Sequence, residues 1–204
     1  MKAAAAVAEI LKREGVKFLI GYPVNQIIEA AAEADIRTII VRQERTGLHM
    51  ADAVSRVTSA DQIGVFAMQH GPGSENAFGG VAQAFGDSVP IVVLPGGYPR
   101  SITNVSPNFN SFLNMQHVTK SAEQVILPAV VPDAMRRAFT QVRNGRPRPV
   151  LVLFLHRQRG VQKHARHLRQ NHDVVARLKA RPQRPLHVHP VVRVARITLG
   201  PRRL

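Results

Sequence analysis

Six short apolar runs alternate along the chain with stretches whose apolar residues recur at helical spacing, and this alternation restricts the possible folds most strongly. A strand that is apolar at every position has both faces buried, as in a parallel sheet covered by helices. The sequence therefore predicts an α/β fold, an open six-stranded parallel sheet with helices on both faces. The predicted strands are residues 18–20, 38–41, 63–68, 91–94, 124–127 and 150–155; the predicted helices are residues 3–14, 24–34, 46–58, 75–85 and 132–142.

The basic charge of the chain is concentrated in its last quarter. The full sequence of 204 residues has a formal net charge of +15. Residues 1–155 contain 15 Lys and Arg against 12 Asp and Glu, whereas residues 156–204 contain 13 basic residues and one acid, Asp173. We therefore expect a folded domain over residues 1–154 and a basic, Arg-, His- and Pro-rich tail over residues 155–204. Such a composition predicts a disordered tail.

Two origins of the tail remain open at this stage. Out-of-frame translation of a GC-rich gene yields text rich in Arg, Pro and His, and we favour this interpretation. The alternative is a genuine basic extension of a non-catalytic binding or regulatory domain, which would bind nucleic acid or anionic surfaces. We expect nucleic acid not to be a partner.

Composition excludes several classes of protein. The chain contains no cysteine, which rules out disulfides and thiolate metal sites. No apolar run approaches the roughly 20 residues that are needed to span a bilayer. The alanine-rich start is interrupted by Glu9 and Lys12 and resembles an amphipathic helix more than a signal peptide. We therefore expect a cytoplasmic protein without a membrane partner.

Three predicted strand ends open into polar or glycine-rich sequence. Arg42-Gln43-Glu44-Arg45 follows the second strand, residues 69–76 follow the third, and Pro95-Gly96-Gly97 follows the fourth. An open α/β sheet forms its binding crevice at the carboxyl ends of its strands. We therefore expect Glu44 and the glycine-rich stretch after the third strand to contribute to one site.

Residue types alone leave more than one role for these groups. Glu44 could be a charge that complements the helix dipole, or a buried acceptor and proton relay in the crevice. The run from Gly71 to Asn76 could approach a ligand closely or could be a tight turn, and it is not a Walker loop. His70 has no second ligand at metal-binding spacing, and a Ser74–His70 nucleophile pair lacks a nucleophile elbow. We expect no metal site.

An ordered series of short motifs runs along residues 2–154. These are Gly15-Val16, Phe18 and Gly21-Tyr22-Pro23; Glu44 and Ser55-Arg56; Gly71-Pro72-Gly73, Asn76 and Gly80-Val81-Ala82-Gln83-Ala84; Asp87-Ser88-Val89-Pro90; and Gly145-Arg146-Pro147 with Pro149-Val150-Leu151-Val152. In this series, residues 2–154 resemble the N-terminal pyrimidine-binding domain of thiamine-diphosphate-dependent enzymes of the acetolactate synthase type.

The resemblance implies a role for Glu44. In this family the matching glutamate hydrogen-bonds the ring nitrogen N1′ of the cofactor's aminopyrimidine and so assists removal of the thiazolium C2 proton. The cofactor then adds to the carbonyl of a 2-oxo acid and accepts electrons as carbon dioxide leaves. The matches imply that Gly71, Pro72, Gly73 and Asn76 shape the wall near the pyrimidine. Gln69 and His70 lie on the same stretch and are weaker candidates for contact with substrate.

The sequence also departs from the family pattern. The family's Gly-x-Pro-Gly is Gly21-Tyr22-Pro23-Val24 here, and His70 stands where a small residue is common. The Gly-Asp-Gly and downstream Asn that hold Mg²⁺ and the diphosphate in a second domain have no match. We therefore expect the chain to bind only the pyrimidine half of thiamine diphosphate. A truncated enzyme or one half of a split enzyme is expected, inactive alone, completed in a homodimer or by a separate diphosphate-binding subunit.

Overall fold

The computed structural model describes residues 3–23, 25–103, 105–106 and 108–156, and within them the predicted α/β class is confirmed. The strands are β1 (Phe18–Gly21), β2 (Arg37–Ile40), β3 (Gly64–Met68), β4 (Ile91–Pro99), β5 (Ser121–Val125) and β6 (Val150–His156). The helices are α1 (Ala3–Arg13), α2 (Gln26–Glu33), α3 (Glu44–Val57), α4 (Pro72–Gly86), α5 (Ser111–Met115) and α6 (Val131–Arg143), with 3₁₀ turns at Gln116–Val118 and Pro128–Val130.

The six strands form one parallel sheet in the order β2-β1-β3-β4-β6-β5. Ile20 of β1 pairs with Ile39 of β2 on one side and with Phe66 of β3 on the other. The chain leaves β1 towards one edge of the sheet and then returns past it to form β3. The strand order therefore reverses at β1, which is where an open α/β sheet places its binding crevice.

Helices cover both faces of the sheet, as predicted. Successive side chains of a strand point to opposite faces, so each apolar strand contributes to two cores. On one face Val65 of β3 packs in a cluster with Leu11 of α1 and Phe139 of α6. On the other face Phe66 belongs to a second cluster with Leu48 of α3.

Several residues that carry the family resemblance hold α3 and α4 together at the amino edge of the sheet. The buried Ser55 hydroxyl donates to the Pro90 carbonyl at 2.6 Å. Arg56 Nε donates to Asp52 Oδ1, and a terminal nitrogen of Arg56 donates to Asp87 Oδ2, each at 2.6 Å. The hydrogen bonds with Asp52 and Asp87 raise the pKa of the Arg56 guanidinium above its ordinary value. These residues therefore support the architecture at the edge opposite the crevice.

Two helices start earlier than the sequence predicts. Helix α3 begins at Glu44 rather than at residue 46, and α4 begins at Pro72 rather than at residue 75. Proline suits the first position of a helix because its missing N–H has no partner there. Glu44, Pro72, Gly73 and Asn76 therefore lie in the first turns of helices and not in loops.

The predicted bounds of the elements that follow β3 in the chain are also partly wrong. Strand β4 continues to Pro99, because Gly96 pairs with Phe154 and Pro99 with His156 of β6. Strand β5 spans 121–125 rather than 124–127, and the predicted loop 98–116 contains α5. The polar sequence of β5 is tolerated because this strand lies at the edge of the sheet and most of it is only half-buried.

In the ranges described above, no helix is long and apolar enough to cross a membrane. The predicted tail, residues 155–204, falls almost wholly on residues 157–204, which lie outside the described part of the chain. Its disorder and its origin remain predictions.

Candidate functional site

The candidate site lies at the carboxyl ends of β1, β2, β3 and β4. Asn25 fastens this edge: its side-chain nitrogen donates to the carbonyl oxygens of Met68 at 2.9 Å and Leu94 at 3.1 Å. Its side-chain oxygen accepts from the Ile27 backbone N–H at 3.0 Å and so caps α2. One side chain thus fixes the end of β3, the middle of β4 and the start of α2 relative to one another.

Glu44 provides a buried carboxylate at this edge. It is 5% exposed, and its Oε2 accepts a hydrogen bond from Asn76 Nδ2 of α4 at 3.1 Å. Its place in the first turn of α3 brings it close to the positive end of the helix dipole. A charge that served only the dipole could remain in solvent, whereas burial imposes a desolvation penalty that one amide partner offsets only in part. In the described residues no ion pair of Glu44 is found.

The turn Gly71–Gly73 lies beside this carboxylate. Gly71 has φ +57° and ψ −110°, and a Cβ built on it would lie 2.4 Å from the Tyr98 hydroxyl oxygen. A Cβ built on Gly73 would lie 3.2 Å from Glu44 Oε1 and 3.0 Å from Gln69 Cβ. Both positions therefore lack a side chain where one would press on Tyr98 or on Glu44. Gly71 thus faces a phenol and Gly73 a carboxylate without a side chain of their own, and the exposed Pro72 lies between them.

The structure brings most of the predicted site residues together, and their roles stay predictions. Glu44, Gly73 and Asn76 are in direct proximity, and Gly71 starts the same turn. Pro72 is exposed. The half-buried Gln69 contributes its backbone carbonyl, which accepts from the Ser74 hydroxyl at 3.4 Å.

His70 meets a residue that the sequence did not single out. Its ring contacts the Tyr98 ring edge-on, with centroids 4.4 Å apart and an interplanar angle of 63°. Tyr98 was missed because Pro95-Gly96-Gly97 suggested that β4 had already ended. Asn25 was also missed, although an Asn at the start of a predicted helix is itself a capping signal.

This arrangement of residues can support acid–base and hydrogen-bonding chemistry. Among the described residues no group of three or more His, Cys, Asp or Glu side chains could hold a metal ion. A buried carboxylate, an amide that orients it and a turn with two glycines could bind a flat polar ring that presents a hydrogen-bond donor to Glu44.

Comparison with known proteins gives a consistent result. Residues 1–125 match the family described as thiamine pyrophosphate enzyme, N-terminal TPP binding domain. A probable acetolactate synthase large subunit of Methanocaldococcus jannaschii is 32% identical over 157 residues, which is 74% of this chain and 26% of the relative. The acetolactate synthase large subunit of Parasynechococcus marenigrum is 35% identical over 158 residues, 73% of this chain and 25% of the relative.

A third relative extends the same pattern. The acetolactate synthase isozyme 3 large subunit of Escherichia coli is 31% identical over 162 residues, covering 74% of this chain and 27% of the relative. The chain thus spans about a quarter of the length of the curated relatives that it matches.

Proposed function

This chain belongs to the thiamine pyrophosphate enzymes and carries their N-terminal TPP binding domain, and we propose that it provides the pyrimidine-binding half of a cofactor site. The cofactor, thiamine pyrophosphate, is also called thiamine diphosphate. The parent activity would be decarboxylation or carboligation of a 2-oxo acid. The observation that carries the proposal is the buried Glu44 carboxylate, which faces the side-chain-free turn at Gly73 and is held by Asn76.

The residues present fit the pyrimidine half of this cofactor. Glu44 would accept a hydrogen bond from the ring nitrogen N1′, and Gly71, Pro72, Gly73 and Asn76 would form the adjacent wall. A Cβ at Gly73 would crowd the Glu44 carboxylate, so the glycine keeps this space open. When bound, thiamine diphosphate supplies a carbon nucleophile for the carbonyl of a 2-oxo acid and an electron sink as carbon dioxide leaves.

The chain's own contribution is to position one proton and to exclude water. Burial of Glu44 keeps solvent from competing for its carboxylate oxygens, and the 3.1 Å hydrogen bond from Asn76 restricts its rotation. A carboxylate held in this way would favour the protonated form of the ring nitrogen N1′ opposite it, because the positive charge on the ring would compensate the buried negative charge of Glu44. Gln69 and His70 would lie on the side of the site that receives substrate.

We also propose that the diphosphate and its Mg²⁺ are held by residues outside 1–154, in a second copy of a longer chain or in a separate diphosphate-binding subunit. The outward side of α4 supports a partner there. A Cβ built on Gly79, in the interior of α4, meets no heavy atom within 4 Å, and the neighbouring Phe78 is 36% exposed. A glycine inside a helix weakens that helix, and a close-packed partner would explain Gly79. By itself the chain would then be inactive.

Binding of the free pyrimidine tests the proposal on the chain as it exists. We would titrate ¹⁵N-labelled protein with 4-amino-5-hydroxymethyl-2-methylpyrimidine and follow the backbone amides of Glu44, Gly73 and Asn76 by NMR. Saturable shifts are expected at these positions. Glu44→Gln removes the charge at constant shape and should weaken binding by about tenfold or more, since hydrogen bonds to charged groups contribute about 1.5–3 kcal/mol.

Glu75→Gln is the matched control, because Glu75, like Glu44, is a glutamate in the first turn of a helix, here α4, but is exposed. It should bind the pyrimidine as the wild type does. Turnover of a 2-oxo acid after addition of a diphosphate-binding domain, lost in Glu44→Gln, would extend the result to catalysis. Equal pyrimidine affinity of Glu44→Gln and wild type would refute the assigned role.

A further inference from the structure

His70 and Tyr98 form a polar aromatic pair at the carboxyl ends of the adjacent strands β3 and β4. Their ring centroids are 4.4 Å apart and both residues are half-buried. Each side chain combines an apolar ring with a group that can donate a hydrogen bond. The edge-on contact fixes the Tyr98 ring relative to the strand end from which the Gly71 turn departs.

The His70–Tyr98 pair and Glu44 both lie beside the Gly71–Gly73 turn. The Tyr98 hydroxyl lies over Gly71, where a Cβ would be 2.4 Å from its oxygen, and Glu44 lies beside Gly73, two residues further along. Consecutive Cα atoms are 3.80 Å apart, so these two residues of the turn are separated by less than about 8 Å. The Tyr98 hydroxyl and the Glu44 carboxylate therefore border the same short turn.

A small cavity borders Tyr98. Its volume is about 10 Å³, and Thr103, Asn110 and Gln124 are among the residues that line it. This space suits one water molecule and is too small for an organic acid. This cavity therefore cannot hold the acid substrate.

We propose that the His70–Tyr98 pair binds the carboxylate of the acid substrate, with Tyr98 as the principal donor and His70 as its neighbour in the same subsite. This inference rests on the proposed function, which places a 2-oxo acid beside the pyrimidine. The pair can accommodate an anion through hydrogen-bond donors without a lysine or arginine. Tyr98 reaches the turn because residue 71 has no side chain: a Cβ there would lie 2.4 Å from the Tyr98 hydroxyl oxygen.

NMR titration of the isolated chain with pyruvate, and separately with acetone, tests this subsite. Acetone keeps the methyl ketone but lacks the carboxylate. We expect saturable shifts of the Tyr98 and His70 ring protons with pyruvate and none with acetone. Tyr98→Phe should weaken pyruvate binding on the order of tenfold, because it removes one hydrogen bond to a charged group. His70→Gln, which provides a second variant, should also weaken it.

His117→Gln is the matched control, since it changes the same residue type as His70 at an exposed position outside the candidate site and should leave pyruvate binding unaltered. Absence of saturable shifts with pyruvate, equal shifts with acetone, or wild-type affinity in both Tyr98→Phe and His70→Gln would each overturn the inference. Failure of the pyrimidine to bind would instead overturn the proposed function, because that ligand is monitored at Glu44 and Gly73.

Discussion

Gly73→Ala should damage the candidate site while leaving the fold intact. Gly73 occupies the second position of α4, after Gly71 at the N-cap and Pro72. On the present backbone the new Cβ would lie 3.0 Å from Gln69 Cβ, 3.2 Å from Glu44 Oε1 and 3.7 Å from Glu44 Cγ. The two shortest separations are tighter than ordinary contacts, so the Glu44 carboxylate must move by a few tenths of an ångström.

The change in stability should be small because two effects oppose each other. Alanine is favoured over glycine within a helix by about 1 kcal/mol. Overpacking of a close-packed site typically costs about 1–3 kcal/mol. We expect the free energy of unfolding, measured by urea denaturation with circular dichroism, to fall by no more than about 2 kcal/mol. Pyrimidine binding should weaken by about tenfold to a hundredfold, because a displaced Glu44 loses a charge-assisted hydrogen bond.

Gly79→Ala is the control for this experiment. Gly79 lies on the same helix, and a Cβ there meets no atom within 4 Å. This variant should therefore raise the free energy of unfolding by about 0.5–1 kcal/mol and bind the pyrimidine normally. Wild-type pyrimidine affinity in Gly73→Ala would refute the reasoning, since it would show that the ligand does not use the space between the turn and Glu44.

Two further predictions concern the scaffold. Ser55→Ala should lower the free energy of unfolding by about 1–3 kcal/mol in urea denaturation, because the Ser55 hydroxyl donates to the Pro90 carbonyl at 2.6 Å and accepts from the Gly64 N–H at 2.8 Å in the interior; unchanged stability would contradict this. Lys120→Met should lower it by about 1 kcal/mol, because Lys120 Nζ donates to the Gln141 carbonyl at 2.8 Å near the end of α6; a change as large as that of Ser55→Ala would show that this cap was undervalued.

The sheet could be predicted from sequence because its strands are recognisable one by one. Continuous apolar runs such as residues 91–94 indicate a strand that is buried on both faces, and this holds whatever the neighbouring strands are. The extent of β4 could not be predicted in this way. Pro95-Gly96-Gly97 suggests a turn locally, and the strand continues to Pro99 because β6 offers it a ladder partner.

The candidate site shows the same limit at the scale of single residues. Glu44 and the Gly71–Gly73 turn could be proposed because a family resemblance supplied what position alone left open. Tyr98 could not, since its importance arises from where a distant strand end places its hydroxyl. The start of α3 was misjudged because its N-cap residue, Gln43, forms no side-chain capping bond and so leaves no clear signal in the sequence.

The two hydrogen bonds from Asn25 to the end of β3 and the middle of β4 have a consequence for the energetics of ligand binding. They assemble the crevice edge as part of folding, so that an incoming ring meets an already ordered wall. The protein then loses little conformational entropy when the ligand binds, so less of the free energy of the protein–ligand contacts is offset by ordering of the site. The divided site proposed above would benefit especially from such preorganisation, since each half would have to keep its shape through every dissociation of the other.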